Sequence, residues 1–183
     1  MIILASASPR RKELLRLITD EEFIILPSDS EAETDNASSP QAAVERVALL
    51  KAQDIFCKNP EATVIGADTS VYFEGKHLGK PKDEEEAFLM LRSLSGKTHH
   101  VITAVAVLSE KKKTVFSETA EVTFNELDDG EIREYIKSRE PMDKAGAYGI
   151  QGKGACFIKG IKGDYYTVMG LPVSRLYNVL KDF

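Results

Sequence analysis

Thr63-Val64-Ile65-Gly66-Ala67-Asp68-Thr69-Ser70-Val71-Tyr72-Phe73 decides the fold. Residues 63–67 form a nearly unbroken apolar run, the pattern of a buried strand. The run leads into Asp68-Thr69, and Val71-Tyr72-Phe73 continues it. Glu74-Gly75-Lys76 then reads as a hairpin turn. Upstream, Ile2-Ile3-Leu4-Ala5 and Phe23-Ile24-Ile25-Leu26 read as short strands. Ser8-Pro9 and Ser39-Pro40 each announce a helix, with serine as the N-cap and proline at the first helical position. Leu14, Leu15 and Leu17 face the first helix, and Ala43, Val44, Val47, Ala48, Leu50, Ala52 and Ile55 the second.

Downstream, Asp83 caps a third helix whose first turn is Glu84-Glu85-Glu86, where carboxylates suit the helix dipole. Its face is Phe88, Leu91 and Leu94, and Gly96 ends it. Val101–Leu108 and Val115–Phe124 read as strands joined across a solvated Glu110-Lys111-Lys112-Lys113 turn. Asp128-Asp129 begin another helix, with Ile132, Tyr135 and Ile136 inward. Cys156-Phe157-Ile158 and Tyr165-Tyr166-Thr167-Val168 suggest a hairpin about Lys162-Gly163, and residues 173–183 a closing amphipathic helix. Strands and helices mix without strict alternation, so a mixed sheet is expected.

The chain has 183 residues, the size of one domain or of two small lobes sharing a core. Lys plus Arg number 24 and Asp plus Glu 29, a net charge of −5. That balance argues against a protein that coats polymeric DNA or RNA, but it leaves room for a small anionic ligand held by local charge. The two cysteines, Cys57 and Cys156, match no zinc spacing and read as reduced packing residues. No apolar run approaches the ~20 residues of a membrane span, and the apolar start precedes its basic residues, unlike a signal peptide. A cytoplasmic protein is expected.

Four places stand out chemically. Arg10, Arg11 and Lys12 crowd the first turn of a helix whose N-terminus is already positive. Ser6-Ala7-Ser8-Pro9-Arg10-Arg11 therefore looks like a cradle for a phosphate; the other reading is that acidic side chains elsewhere neutralise the arginines. Asp68-Thr69, at the end of an apolar run, suits a divalent cation or a positioned water, although such an Asp often just forms a turn. Gly79-Lys80-Pro81 presents a lysine in a stiff turn, as a phosphate contact or a solvated side chain. Glu140 to Gly152 spaces Gly146, Gly149 and Gly152 evenly, with an acid, a base, an amide and a phenol between. Such a stretch makes poor core and poor helix and suits a ligand-facing loop, with Gln151 able to read a base edge. His99 and His100 point to opposite faces of a strand, so they cannot share a metal and are taken as structural.

Together these stretches resemble the Maf family of nucleoside triphosphate pyrophosphatases, once described as septum formation inhibitors. The resemblance runs through Leu4-Ala5-Ser6-Ala7-Ser8-Pro9-Arg10-Arg11-Lys12-Glu13-Leu14-Leu15, Gly66-Ala67-Asp68-Thr69-Ser70-Val71, Gly79-Lys80-Pro81, Leu94-Ser95-Gly96 to His99, residues 140–152, Gly163-Asp164-Tyr165-Tyr166 and Gly170-Leu171-Pro172. It implies one domain over residues 1–183, with a long curved mixed α/β sheet flanked by helices, two lobes and a central cleft. It also implies cleavage between the α- and β-phosphates, with Mg²⁺ or Mn²⁺ as cofactor. By motif position Asp68 corresponds to the general base, and Arg10, Thr69 and Gln151 to positions linked with pyrimidine choice, as in the dTTP/UTP pyrophosphatases. Glu31 aligns with a family acidic pair and is the candidate metal ligand beside Asp68; Asp29 and Glu33 are the alternatives two residues away. Ser8, Arg10, Arg11 and Lys51 are expected to bind the triphosphate, and Lys80, which also meets its charge, is expected to be catalytic alongside Asp68. The expected partner is a nucleoside triphosphate, with no polymeric nucleic acid and no membrane, and a homodimer is plausible. The competing expectation is a non-catalytic regulator of septum formation acting through a protein partner.

Overall fold

A computed structural model describes residues 1–28, 30 and 37–183 of the chain. The sequence alternates short strands, long strands and helices. In order these are β1 (Ile2–Leu4), α1 (Pro9–Arg16), β2 (Phe23–Ile25), α2 (Pro40–Phe56), β3 (Thr63–Phe73) and β4 (Lys76–Leu78). Then come α3 (Glu84–Leu94), β5 (Thr98–Leu108), β6 (Lys113–Phe124), α4 (Asp129–Lys137), β7 (Ile158–Lys162), α5 (Tyr165–Met169) and α6 (Val173–Leu180). Three 3₁₀ turns, Glu140–Asp143, Ala145–Ala147 and Lys153–Phe157, lie between α4 and β7.

The seven strands form one sheet in the order β2-β1-β3-β5-β6-β7, with β4 paired to β3. β1 runs parallel to both β2 and β3, with Leu4 opposite Ile25 and Ile65. β3 and β4 form the antiparallel hairpin expected around Glu74-Gly75, and β6 and β7 are also antiparallel. The mixed sheet flanked by helices is therefore as the sequence implied.

The capping signals explain why the helices start where they do. Ser39 Oγ accepts from Ala42 N, and Asp83 Oδ1 accepts from Glu86 N. Asp128 and Glu131 form a reciprocal capping box at the start of α4. α1 is different: Ser8 takes the N-cap position, but its hydroxyl makes no capping bond. The first-turn amides of α1 are thus left without the side-chain acceptor that serine was expected to supply.

The chain groups into two compact units, and it passes from one to the other within β3, β5 and β6 and again after α5, between Met169 and Gly170. The first comprises Met1–Thr69, Thr103–Glu118 and Gly170–Phe183. Its core includes Ile3, Leu4, Leu14, Leu15, Ala48, Ala52, Ile65, Val105, Leu171 and Leu176, all buried. α2 lies directly on β3 at Gly66. A Cβ added there would stand 2.5 Å from the Ala48 carbonyl oxygen and 2.8 Å from the Ala52 Cβ. Two alanines one turn apart on the helix and a glycine on the strand are what permit that approach. The second unit comprises Ser70–Ile102 and Thr119–Met169. Its core joins Leu91 and Leu94 of α3 to Ile132, Tyr135 and Ile136 of α4, with Phe124, Tyr148 and Phe157.

Three expectations need correction. Tyr165–Met169 is a helix, not the second arm of a hairpin. Its aromatic and β-branched residues favour a strand locally, but Asp164 Oδ2 accepts from both the amide and the hydroxyl of Thr167 and starts a helical turn. Cys156 lies in a 3₁₀ turn rather than a strand. Neither cysteine packs in the core: Cys57 follows the last residue of α2 and Cys156 sits on the outer side of its turn, and both are exposed.

Candidate active site

Asp68 and Gly66 are two residues apart on β3 and share a face of the strand. The close approach of α2 at Gly66 brings Lys51, next to Ala52, up to Asp68. Lys51 Nζ donates to Asp68 Oδ1 at 2.7 Å, and the two side chains stay 22% and 19% exposed. They are accessible to a ligand while held in place. Asp68 Oδ2 has no hydrogen-bond partner among the described residues.

Thr69, on the alternate face of the strand, belongs to a second arrangement. Arg11, in the first turn of α1, donates from Nε to Gly170 O (2.8 Å), from Nη1 to Ser6 Oγ (3.1 Å) and from Nη2 to Thr69 Oγ1 (3.0 Å). Thr69 Oγ1 also lies 2.9 Å from Thr103 Oγ1 of β5. Gly170 has φ +113, and a Cβ there would crowd Thr69 Oγ1 at 3.3 Å. Burial draws the Arg11 guanidinium below the ordinary arginine range, Asp68 pulls it back up, and Arg10 adds to the lowering. Arg11 therefore spends three of its five donors on this protein's own oxygens. Its hydrogen-bond partners are a carbonyl and two hydroxyls, and Asp68 is the carboxylate that acts on its charge. Arg10 forms no hydrogen bond or ion pair among the described residues.

The remaining described candidates lie in the second unit. Lys80, exposed before Pro81, and Gln151, exposed, have no hydrogen-bond or ion-pair partner among the described residues. Both stand on one framework, because Gly146 N donates to Gly79 O at 3.0 Å. Glu31, with its alternatives Asp29 and Glu33, lies outside the described residues.

The stretch from 140 to 154 carries more internal structure than its sequence discloses. It folds around its own carboxylate. Glu140 Oε1 accepts from Tyr135 Oη (2.9 Å) and Gly154 N (3.2 Å), and Oε2 accepts from Lys153 N (3.0 Å). Tyr135 Oη in turn accepts from Gly149 N at 3.2 Å. Lys144 Nζ donates to Glu140 O and Asp143 Oδ1. Ala147 and Tyr148 are buried in the core, and Tyr148 Oη lies 2.7 Å from His99 Nε2. The acid and the base thus bind the segment to itself, the phenol ties it to His99 of β5, and Gln151 is exposed. The glycines have the same cause. A Cβ at Gly152 (φ +117) would meet Glu140 Oε2 at 2.7 Å, and one at Gly149 would meet Lys144 Cε at 2.7 Å.

Burial raises the Tyr135 hydroxyl pKa far above its usual value. For Glu140, burial pushes the carboxyl up, but hydrogen bonds from the Lys153 and Gly154 amides and from Tyr135 outweigh it, and the net shift is downward. His99 is fully buried and His100 is exposed, as the alternation of a strand requires. Burial, with a smaller push from His100, lowers the His99 pKa to about 4, and its Nδ1 has no hydrogen-bond partner among the described residues.

Sequence reasoning missed Thr103, Gly170, Tyr135 and Glu140 as parts of these arrangements. Thr103 carries a legible signal, as the one polar residue in the run from Val101 to Leu108. Among the described residues no three His, Cys, Asp or Glu side chains cluster so as to hold a metal, and no helix is long and apolar enough to cross a membrane.

Against known proteins, residues 1–183 match the family described as Maf-like protein. The chain is 51% identical to a dTTP/UTP pyrophosphatase of Bacillus velezensis, over 100% of this chain and 96% of that protein. It is 53% identical to a dTTP/UTP pyrophosphatase of Bacillus pumilus, with the same coverage. Among solved structures, the Ham1 protein of Staphylococcus aureus matches with a TM-score of 0.55 at 14% identity, over 99% of this chain and 98% of that one, a likeness of fold.

Proposed function

The chain belongs to the Maf-like protein family, and from that premise we propose that it is a nucleoside triphosphate pyrophosphatase. It hydrolyses dTTP and UTP to the monophosphate and pyrophosphate, in the cytoplasm, as one catalytic domain spanning residues 1–183. The observation that carries this reading is the Lys51–Asp68 pair, a carboxylate oriented by an ammonium yet still accessible. The names of the relatives favour the catalytic reading over that of a septum-formation regulator.

Asp68 is the general base. It takes a proton from a water whose oxygen bonds to the α-phosphorus, while the bond from that phosphorus to the α–β bridging oxygen breaks and pyrophosphate leaves with the electron pair. Lys51 fixes the carboxylate through Oδ1, so that the abstracting oxygen has a set direction. Arg10, the first-turn amides of α1, the Ser8 hydroxyl and Lys80 bind the phosphates. Arg11 holds Thr69 and Ser6 in place and has two N–H groups left for substrate. Thr69, Arg10 and Gln151 select the base, Gln151 by offering one donor group and one acceptor. A polar partner buried against the wrong base would be left unpaired, which rejects it strongly.

The donor chemistry fits a divalent cation. Asp68 Oδ2 is a hard oxygen without a hydrogen-bond partner among the described residues, of the kind Mg²⁺ and Mn²⁺ take. Asp68, with Glu31 as the expected second ligand, would hold the ion, which supplies charge neutralisation at the phosphate oxygens.

Pyrophosphate release measured across the ribo- and deoxyribonucleoside triphosphates with Mg²⁺ tests the reading. Turnover concentrated on dTTP and UTP is the expected result. Equal turnover of purine and pyrimidine triphosphates would overturn the substrate assignment, and no release from any of them would overturn the activity.

A further inference from the structure

Gln151 sits on a turn whose hydrogen bonds lead back to two side chains outside the expected site. Glu140 holds the far side of the turn through the amides of Lys153 and Gly154. Tyr135 holds the near side through the amide of Gly149, and its own hydroxyl proton goes to Glu140. Gln151 is thus bracketed, two residues before and two and three residues after, by one hydrogen-bonded acid–phenol pair. Tyr148, the residue before Gly149, is fixed separately by His99.

Two further facts show that the turn is built on this pair. The space beside Gly152 and Gly154 is filled by it: a Cβ at Gly152 would meet Glu140 Oε2 at 2.7 Å, and one at Gly154 would meet Tyr135 Oη at 2.8 Å. The α4 end of the chain also presents Glu140 deliberately. Arg139 adopts a left-handed φ of 64, a conformation that side chains other than glycine seldom take, in the residue that leads from α4 into the 3₁₀ turn bearing Glu140.

We propose that Glu140, with Tyr135 as its hydrogen-bonded partner, is a positioning residue for selection of the nucleobase: the pair fixes the 149–154 turn and so sets where the Gln151 amide can meet a pyrimidine. The inference rests on the reading that Gln151 contacts the base. Glu140 acts through the turn and touches neither the substrate nor the reacting atoms. An amide in its place brings N–H groups against the Lys153 and Gly154 amides, where a carboxylate brings only acceptors.

The test uses the full chain in five forms: wild type, Glu140→Gln, Tyr135→Phe, Gln151→Ala and the double variant Glu140→Gln/Gln151→Ala. Two readouts are taken. Amide hydrogen exchange without nucleotide reports the anchor itself, and KM and kcat for UTP, dTTP and a purine triphosphate report its use. In Glu140→Gln, exchange at Lys153 and Gly154 is expected to accelerate. KM for UTP is expected to rise about ten-fold, the scale of one lost hydrogen bond to a charged group, with kcat changed less than KM. Tyr135→Phe is expected to accelerate exchange at Gly149 and to weaken selectivity less; it keeps the ring in the core and carries the test if Glu140→Gln does not fold. The double variant is expected to select no worse than Gln151→Ala alone, because the two changes remove one interaction.

Additive losses in the double variant, a fall in kcat with KM unchanged, or altered exchange with selectivity intact would each overturn the proposal. If Gln151→Ala itself leaves selectivity at the wild-type level, the reading of Gln151 fails and the proposal falls with it. In that case the exchange data still show whether Glu140 anchors the turn.

Discussion

The two groups of candidate residues are built in opposite ways. In the first unit, Ser6, Arg11, Lys51, Asp68, Thr69, Thr103 and Gly170 come from five separated stretches and meet because regular elements carry them together. In the second, Tyr135, Glu140, Lys144, Gly149 and Gly152 lie within eighteen residues of one another and meet because the chain wraps around a carboxylate. The first group keeps charge accessible. The second uses its charge internally and exposes a single amide. The groups proposed to react are thus set on regular elements, whereas the amide proposed to read the base rides on a turn with its own internal brace.

The largest effect expected on this contrast is chemical. Asp68→Asn keeps the shape of the side chain but removes the base, and kcat should fall by about 10²–10⁴ with the circular dichroism spectrum unchanged. Wild-type turnover in that variant would remove Asp68 from the chemistry.

The next effect belongs to His99, which fixes Tyr148 beside the braced turn. The buried, neutral His99 has a pKa lowered to about 4. The unfolded chain, with an ordinary histidine pKa of about 6.5, binds the proton first as pH falls. Stability is therefore full above pH ~6.5 and is lost on going down towards pH 4, by roughly 3 kcal/mol across the window. Thermal unfolding between pH 7 and pH 4.5 should show this slope, and His99→Gln, which keeps a donor for Tyr148, should flatten it. An equal slope in both proteins would mean that other groups carry the acid sensitivity.

Gly66→Ala attacks the scaffolding of the first group. The added methyl stands against the α2 backbone, so overpacking should lower stability by about 1–3 kcal/mol. Lys51 should also be displaced from Asp68, and turnover should fall in folded protein. Denaturant unfolding alongside initial rates separates the two; unchanged values for both would show that α2 yields without strain.

Smallest is Ser39→Ala at the start of the same helix. Loss of the Ser39–Ala42 cap should lower stability by about 1 kcal/mol with kcat retained, because α2 keeps its seat on Gly66. A loss of turnover comparable to that of Gly66→Ala would show that the helix end, rather than the glycine contact, sets the Lys51–Asp68 distance.

How much was legible in the sequence follows the same division. The strands around Thr63–Phe73, the capped helices and the hairpin at Glu74-Gly75 could be read because periodicity and caps are local signals. Asp68 and the arginines could be read because they are electrostatically out of place. That Arg11 turns inward to Ser6, Thr69 and Gly170 could not, since it depends on residues as far as 159 positions away. Residues 140–152 were legible only in part: closely spaced glycines mark a tight approach, and sequence does not say that the chain's own Glu140 carboxylate makes it at Gly152. Tyr165–Met169 misled because a single side-chain acceptor, Asp164, outweighed the strand preference of the residues after it. Glu31 lies outside the described residues, so its place as a metal ligand remains a proposal resting on the family resemblance.

The most direct test of the central claim is hydrolysis of UTP in ¹⁸O-labelled water by the wild-type protein, with both products analysed by mass. Attack at the α-phosphorus by a water deprotonated at Asp68 places one ¹⁸O in the monophosphate and none in pyrophosphate. Label in pyrophosphate instead, or release of single phosphates, would contradict it.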